Sequence, residues 1–166
     1  GLAAAATLAE RGHEVDLYDA AAELGGQFNL ARRIPGKEEF AETLRYFRRT
    51  LERRGVRMHL ATRIDAAALI ASRPDAVLLA TGVTPRDPKI PGQDTPGVLR
   101  YIDAILDPSR VGSRVVLVGA GGIGFDVAEL LVHDPAHKAP SIDIAAWRRE
   151  WGVTDPAAVR GGVVRP

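Results

Sequence analysis

Six consecutive residues, Gly119-Ala120-Gly121-Gly122-Ile123-Gly124, carry the clearest chemistry in the sequence. They follow the apolar run Arg114-Val115-Val116-Leu117-Val118 and precede a helix-forming stretch that reaches about Val132. A G-x-G-x-x-G pattern is weak alone; between a strand and a helix it is strong. Gly119 suits the tight turn, and Gly121, with Gly122 beside it, leaves the backbone open to a pyrophosphate. Gly124 lets the helix pack close to the strand. The helix N-terminus adds free N–H groups and the positive end of its dipole. The alternative is a tight strand-to-helix turn with no ligand. The other half of such a fingerprint is an acidic residue about 20 positions on. Asp143 lies near that distance, but Pro135, Pro140 and a Trp-containing stretch point to an insertion before the next strand, so it is not assigned. NAD and NADP are not separated by these residues.

A second, partial version of the pattern opens the chain. Gly1 leads the Ala-rich stretch Leu2–Arg11, a strong helix by propensity, and Gly12 ends it. His13–Asp19 then alternates as a strand does, and Asp19 falls 18 residues after Gly1. That is the spacing of a third fingerprint glycine and an acid that accepts hydrogen bonds from a ribose. Asp19 as a simple turn former is the alternative. The reading makes the chain a fragment cut just upstream of Gly1. Two nucleotide units about 120 residues apart imply two cofactors, one FAD and one nicotinamide nucleotide, with hydride passing between them.

The elements between these sites follow the same logic. A glycine-rich loop, Leu24-Gly25-Gly26-Gln27-Phe28, follows Asp19. Lys37–Arg54 is an amphipathic helix with Phe40, Leu44, Phe47 and Leu51 on one face. Its early Glu38, Glu39 and Glu42 and late Arg48, Arg49, Arg53 and Arg54 complement the dipole. Gly55 stops it, Val56–Leu60 reads as a strand, and a short helix is expected around Asp65–Ala71. Ala76–Ala80 is continuously apolar, as a buried parallel strand would be, and Arg114–Val118 reads as a further buried strand. Residues 83–100 are rich in Pro and Gly and suit a connection. The last 30 or so residues are less regular. The expected fold is α/β, two Rossmann-like dinucleotide-binding units with parallel sheets, both truncated. Residues 1–110 form the FAD unit with its connector, and 111–166 begin the NAD(P) unit.

Composition narrows the classes further. The chain has 166 residues, 22 basic against 21 acidic, and a net charge of +1. That balance gives no electrostatic case for nucleic acid or a membrane surface. No apolar run approaches the ~18 residues of a membrane span. The absence of Cys excludes disulfides, zinc ribbons and a Cys-ligated iron–sulfur cluster within this chain, and it suits a cytoplasmic setting. His133 and His137 are four apart, but Pro135 between them and the lack of a third ligand leave no metal site. The basic run Arg45–Arg49 shares its helix with Glu42 and Glu52 and reads as a solvated face. Trp147 and Trp151, one helical turn apart, read as packing residues. No hydrolytic triad or carboxylate pair stands out.

Several strings agree on one family. Glu23-Leu24-Gly25-Gly26-Gln27-Phe28, Ile34-Pro35-Gly36-Lys37-Glu38-Glu39-Phe40, Leu79-Ala80-Thr81-Gly82 and Gly121-Gly122-Ile123-Gly124-Phe125-Asp126 are the carriers. With them the chain resembles the FAD/NAD(P)-binding portion of the NADPH-dependent 2,4-dienoyl-CoA reductase family, among the NADH:flavin oxidoreductases related to trimethylamine dehydrogenase. Glu150-Trp151-Gly152-Val153-Thr154-Asp155, followed by Gly161-Gly162, is similar to an insertion peculiar to the reductases. The resemblance implies electron flow from NADPH to FAD, then through an iron–sulfur cluster to FMN in an N-terminal barrel domain of the same polypeptide, and on to an unsaturated acyl-CoA. The barrel and cluster lie outside this chain, which would be inactive on the acyl-CoA alone. By position, the resemblance puts Asp19 on the FAD adenosine ribose and Gln27 and Lys37 at flavin-binding positions, with Gly26 in the same loop. It puts Ile64 near the adenine, Ala80, Thr81 and Gly82 at the strand end facing FAD, and Gly119, Gly121, Gly122 and Gly124 on the nicotinamide nucleotide. No catalytic side chain is implied. A related amine dehydrogenase or NADH:flavin oxidoreductase, or a non-catalytic nucleotide-binding domain, are the other readings.

Overall fold

The computed structural model describes residues 1–134, 143–155 and 157–164. They fall into two compact units, residues 1–29 with 41–89, and residues 30–40 with 90–166. A short helix, α2 (Phe28–Ala31), lies where the first unit's chain passes into the second's.

In the first unit, α1 (Leu2–Glu10) forms where the propensity is highest. Strand β1 (Asp16–Tyr18) pairs in parallel with β2 (Arg57–His59), with Asp16 opposite Arg57, Leu17 opposite Met58 and Tyr18 opposite His59. A parallel pair needs a long crossover, supplied by α3 (Phe40–Arg53). The core lies between these elements: Ala5 and Ala6 of α1, Leu24, Leu51 of α3 and Val56, with Leu17, Phe47 and Met58 packed against it. Leu51 is fully buried. Beyond the strands the two exits are latched by main-chain bonds. Asp19 N–H donates to His59 O at 3.1 Å, Thr62 N–H to Asp19 O at 2.9 Å and Ala61 N–H to Ala21 O at 2.8 Å. Helix α4 (Ala66–Ser72) follows, capped by Asp65, whose carboxylate accepts Ala68 N–H at 2.8 Å.

The cross-strand partners Asp16 and Arg57 form a bidentate pair, Nε at 2.9 Å and Nη2 at 2.7 Å, and His59 Nε2 lies 2.8 Å from Asp16 Oδ1. Hydrogen bonding from Arg57, then from His59, holds the Asp16 carboxyl well below the usual carboxylate range. A depressed folded value stabilises the fold above the unfolded carboxylate value, about pH 3.9, and that stabilisation is lost as pH falls through the folded value. The wild type is therefore expected to exceed Asp16→Asn in melting temperature at neutral pH. The gap should narrow steadily on acidification below about pH 4. A gap that widens there would refute the assignment.

In the second unit, Ile34, Ala104, Ile105 and Val127 are buried together, joined by Leu30, Tyr101, Val111, Leu130 and Leu131. They come from the 30–40 segment, α5 (Tyr101–Leu106), the single turn Pro108–Arg110 and α6 (Gly122–Val132). The described part of the tail holds a capped helix and a strand bridge. Asp143 caps α7 (Ile144–Glu150) by accepting Ala145 and Ala146 N–H, both at 3.0 Å. Val153 and Val163 form an antiparallel bridge, and the Trp147 and Trp151 rings stack with centroids 6.3 Å apart.

Three expectations need correction. Helix α3 begins at Phe40, not Lys37, because the chain is still turning: Lys37 N–H bonds Ile34 O and Phe40 N–H bonds Lys37 O. Ala76–Ala80 and Arg114–Val118 join no sheet among the described residues, and the sheet has only the strands β1 and β2. The runs are not buried either, with Leu79 80% and Val116 87% exposed. A buried parallel strand needs a partner at each edge and cover on both faces. Neither run has a paired neighbour among the described residues, so the expected second parallel sheet does not form there. The α/β class itself holds, with a parallel pair joined through a helix.

Candidate functional site

In the first unit the ends of the parallel strands carry the candidate residues. Asp19 follows β1 directly and is half-buried. Its Oδ1 accepts Ala21 N–H at 2.9 Å, a local turn of the kind the sequence allowed as the alternative. Its Oδ2 has no protein partner among the described residues, so a ribose hydroxyl can still be held there. Ile64 lies between the exit of β2 and the cap of α4. Gly1 precedes α1, and a Cβ built on it would lie 3.7 Å from Ala80 Cβ, an ordinary contact. Glycine is therefore not sterically required at position 1.

The Leu24–Gln27 loop joins the same group. Leu24 is buried, and Gln27 Nε2–H donates to Val83 O at 3.2 Å, next to Ala80-Thr81-Gly82. The structure thus brings Gly1, Gln27 and the 80–83 segment together. Gly26 stands open, whereas Gly25 faces Leu44, so of the pair only Gly26 is presented outward. Asn29 was not identified from sequence. Its Nδ2–H donates to Leu24 O at 3.0 Å, and its Oδ1 is enclosed with no partner among the described residues. A buried acceptor left this way is costly unless a donor reaches it. This loop therefore fits a polar ligand with N–H or O–H groups. No pattern marked Asn29 in advance, since a lone loop amide carries no spacing signal.

In the second unit the turn before α6 fits a dinucleotide. Gly121 is the N-cap of α6 and its carbonyl accepts Phe125 N–H at 3.2 Å. A Cβ on Gly124 would lie 2.3 Å from the Gly119 carbonyl oxygen, a separation no side chain tolerates. Around Gly119, Gly121 and Gly122 an added Cβ would meet nothing within 4 Å, so the turn's outer face is open to a pyrophosphate. Asp143 caps α7, which accounts for its carboxylate locally.

Lys37, placed near a flavin by resemblance, sits in the second unit with α6. Its Nζ–H groups donate to both Asp126 carboxylate oxygens at 2.7 Å. Asp126 is the second residue that sequence reasoning missed, although it lies inside one of the family strings.

Among the described residues no group of three or more His, Cys, Asp or Glu could hold a metal ion. His137 lies outside the described residues. On α3 the exposed Arg45 donates through Nε to Glu42 at 2.6 Å. No helix among the described residues is long and apolar enough to cross a membrane.

A family model described as pyridine nucleotide-disulphide oxidoreductase matches residues 1–145. The chain is 33% identical over 140 residues to an NADH oxidase of Thermoanaerobacter brockii, covering 82% of this chain and 22% of that protein. It is 43% identical over 91 residues to an N,N-dimethylglycine/sarcosine dehydrogenase of Chromohalobacter salexigens, covering 55% and 13%. A solved 2-naphthoyl-CoA reductase in complex with 2-naphthoyl-CoA aligns with a TM-score of 0.72 and 31% identity, over 78% of this chain and 20% of that one. The chain spans about a fifth or less of the length of these proteins.

Proposed function

The chain belongs to the pyridine nucleotide-disulphide oxidoreductase family, a Rossmann-like α/β fold with sites for FAD and a nicotinamide nucleotide. On that premise we propose that it is the electron-input module of an oxidoreductase that takes hydride from NADPH and serves reduction of a 2,4-dienoyl or other enoyl thioester in fatty-acid degradation. The observation that carries the hydride-input reading is the second glycine turn, closed at Gly124 and open at Gly121 and Gly122. The thioester rests on the family strings and on the likeness to the solved 2-naphthoyl-CoA reductase.

In this reading residues 1–110 hold the flavin and 111–166 begin the nicotinamide half. Asp19 accepts hydrogen bonds from the adenosine ribose, and Ile64 lies by the adenine. Gly26 and Gln27 present polar groups to the flavin, with Gly1 and Ala80-Thr81-Gly82 as the adjoining backbone surface. Gly119, Gly121, Gly122 and Gly124 leave room for the second nucleotide's phosphates beside the N–H groups of α6. When bound, the flavin supplies the hydride acceptor chemistry; the protein orients and neutralises. FMN, an iron–sulfur cluster and an N-terminal barrel of the same polypeptide belong to this proposal for the whole enzyme, in a cytoplasmic setting. Any such cluster is ligated elsewhere, because this chain has no Cys.

A second reading is the same module in an amine dehydrogenase or other NADH:flavin oxidoreductase, favoured by the 43% identity to the dimethylglycine/sarcosine enzyme. The relatives' names differ in substrate while this portion is shared, so the substrate is decided outside it.

The test is the absorption spectrum of the full-length protein before and after anaerobic addition of NADPH. A flavin band near ~450 nm that NADPH bleaches is the expected result. Equal bleaching by NADH would remove the preference for NADPH. Bound flavin that neither donor bleaches would favour a non-catalytic nucleotide-binding domain. A folded protein without flavin would overturn the roles of Asp19, Gly26 and Gln27.

A further inference from the structure

We propose that Lys37 and Asp126 are a positioning pair for the second glycine turn, in which Lys37 cancels a carboxylate that would otherwise repel the incoming pyrophosphate. The inference rests on the nicotinamide nucleotide binding at Gly119–Gly124, and it names what tunes that site.

The pairing follows from local sequence. Ile34-Pro35-Gly36-Lys37 closes a β-turn, with Lys37 N–H bonded to Ile34 O at 3.1 Å and Gly36 at φ +78°. Proline second and a positive φ third define the type II form. Glu38 braces it by accepting Gly36 N–H at 3.1 Å. The turn starts from Ile34, 1% exposed, in the same apolar cluster as Val127. One short segment thus sends an apolar anchor to the cluster of Val127 and a cation to the preceding residue, Asp126.

Asp126 is a demanding place for a charge. It is the fifth residue of α6 and two beyond Gly124, and helical side chains lean toward the N-terminus. Asp126 lies beyond the first turn of α6, where the helix dipole's support for an ionised carboxylate has faded. A side chain leaning toward the N-terminus lies toward the end at which a pyrophosphate would settle. Unpaired, Asp126 would set like charges within about a turn of each other in a partly dry site. The bidentate contact from Lys37, with the two side chains 36% and 31% exposed, neutralises it at short range.

Two roles compete with this one. A merely structural pair would make either single neutral variant equally harmful. A direct Lys37–flavin contact would cost flavin. The charge role has a different signature, because removing Lys37 bares an anion while removing the Asp126 charge bares a cation. In the full-length protein, the NADP⁺ dissociation constant and the flavin content would be measured for wild type, Lys37→Met, Asp126→Asn and the double variant. Lys37→Met should weaken NADP⁺ binding by about tenfold with flavin retained, most strongly at low salt. Asp126→Asn should bind at least as tightly as wild type, and the double variant should return to within about twofold of it. Loss of flavin in Lys37→Met with NADP⁺ binding unchanged would overturn the proposal. Equal weakening in both single variants, or a double variant as weak as Lys37→Met, would do the same. If Lys37→Met does not fold, weakened NADP⁺ binding by Asp126→Asn or by the double variant decides against it. A wild-type protein that binds neither NADP⁺ nor NAD⁺ would remove the nicotinamide half of the proposed function itself.

Discussion

Gly124→Ala is expected to slow NADPH-dependent flavin reduction by about 100-fold or more, the scale that follows from misplacing a reacting group by an ångström. The added methyl would meet the Gly119 carbonyl oxygen at 2.3 Å, and that atom is backbone in the same turn. Relief requires the turn to open or α6 to shift its first residues, and either moves the N–H groups that would meet a bound pyrophosphate. Gly122→Ala is the comparison, since an added Cβ there meets nothing within 4 Å. It should lose far less. Rapid-mixing bleaching of the flavin band reads both, and flavin content should stay at the wild-type level because the change lies in the second unit. Equal losses at 122 and 124 would show that ligand approach, not closure of the turn, sets the requirement.

Leu51→Ala carries the largest expected stability effect, about 2–5 kcal/mol. Leu51 is fully buried and packs with Ala5, Ala6, Leu24 and Val56, so its removal leaves a hole lined by α1, α3 and the approach to β2. The small Ala5 and Ala6 side chains have no reach to refill it. Chemical denaturation gives the number, and a loss under about 1 kcal/mol would mean that α1 can collapse onto α3. Flavin release should accompany unfolding, because Leu24 of the same cluster opens the loop of Gly26 and Gln27.

Much of the local structure was legible. The Ala-rich start and the Phe40–Leu44–Phe47–Leu51 face each report a single dominant force, so α1 and α3 appear where propensity and periodicity place them, and α4 falls in the short Ala-rich stretch expected around Asp65–Ala71. The first turn of α3 was misplaced because the acidic residues that favour a helix start also suit the Pro35-Gly36 turn. Ala76–Ala80 and Arg114–Val118 were read from hydrophobicity alone. That measures willingness to be buried and says nothing of whether a partner strand stands beside them. At the second glycine turn, the close packing expected at Gly124 is what the structure shows, since an added Cβ there would meet the Gly119 carbonyl oxygen. The Lys37–Asp126 contact was not legible, because the two residues lie 89 positions apart and nothing local in either links them.

The main-chain latch beyond the strands has a kinetic meaning. Asp19, Ala61 and Thr62 each give their amide hydrogen across the gap between two loops some 40 residues apart in sequence. Neither loop can peel away without breaking these bonds, so the Asp19 edge is expected to open as one cooperative flap. Deuterium would enter those three amides together, and a ribose held at Asp19 would slow all of them at once. A ligand that touches only the first loop would thereby quiet the second, and occupancy of the edge is legible in the exchange of residues the ligand never meets.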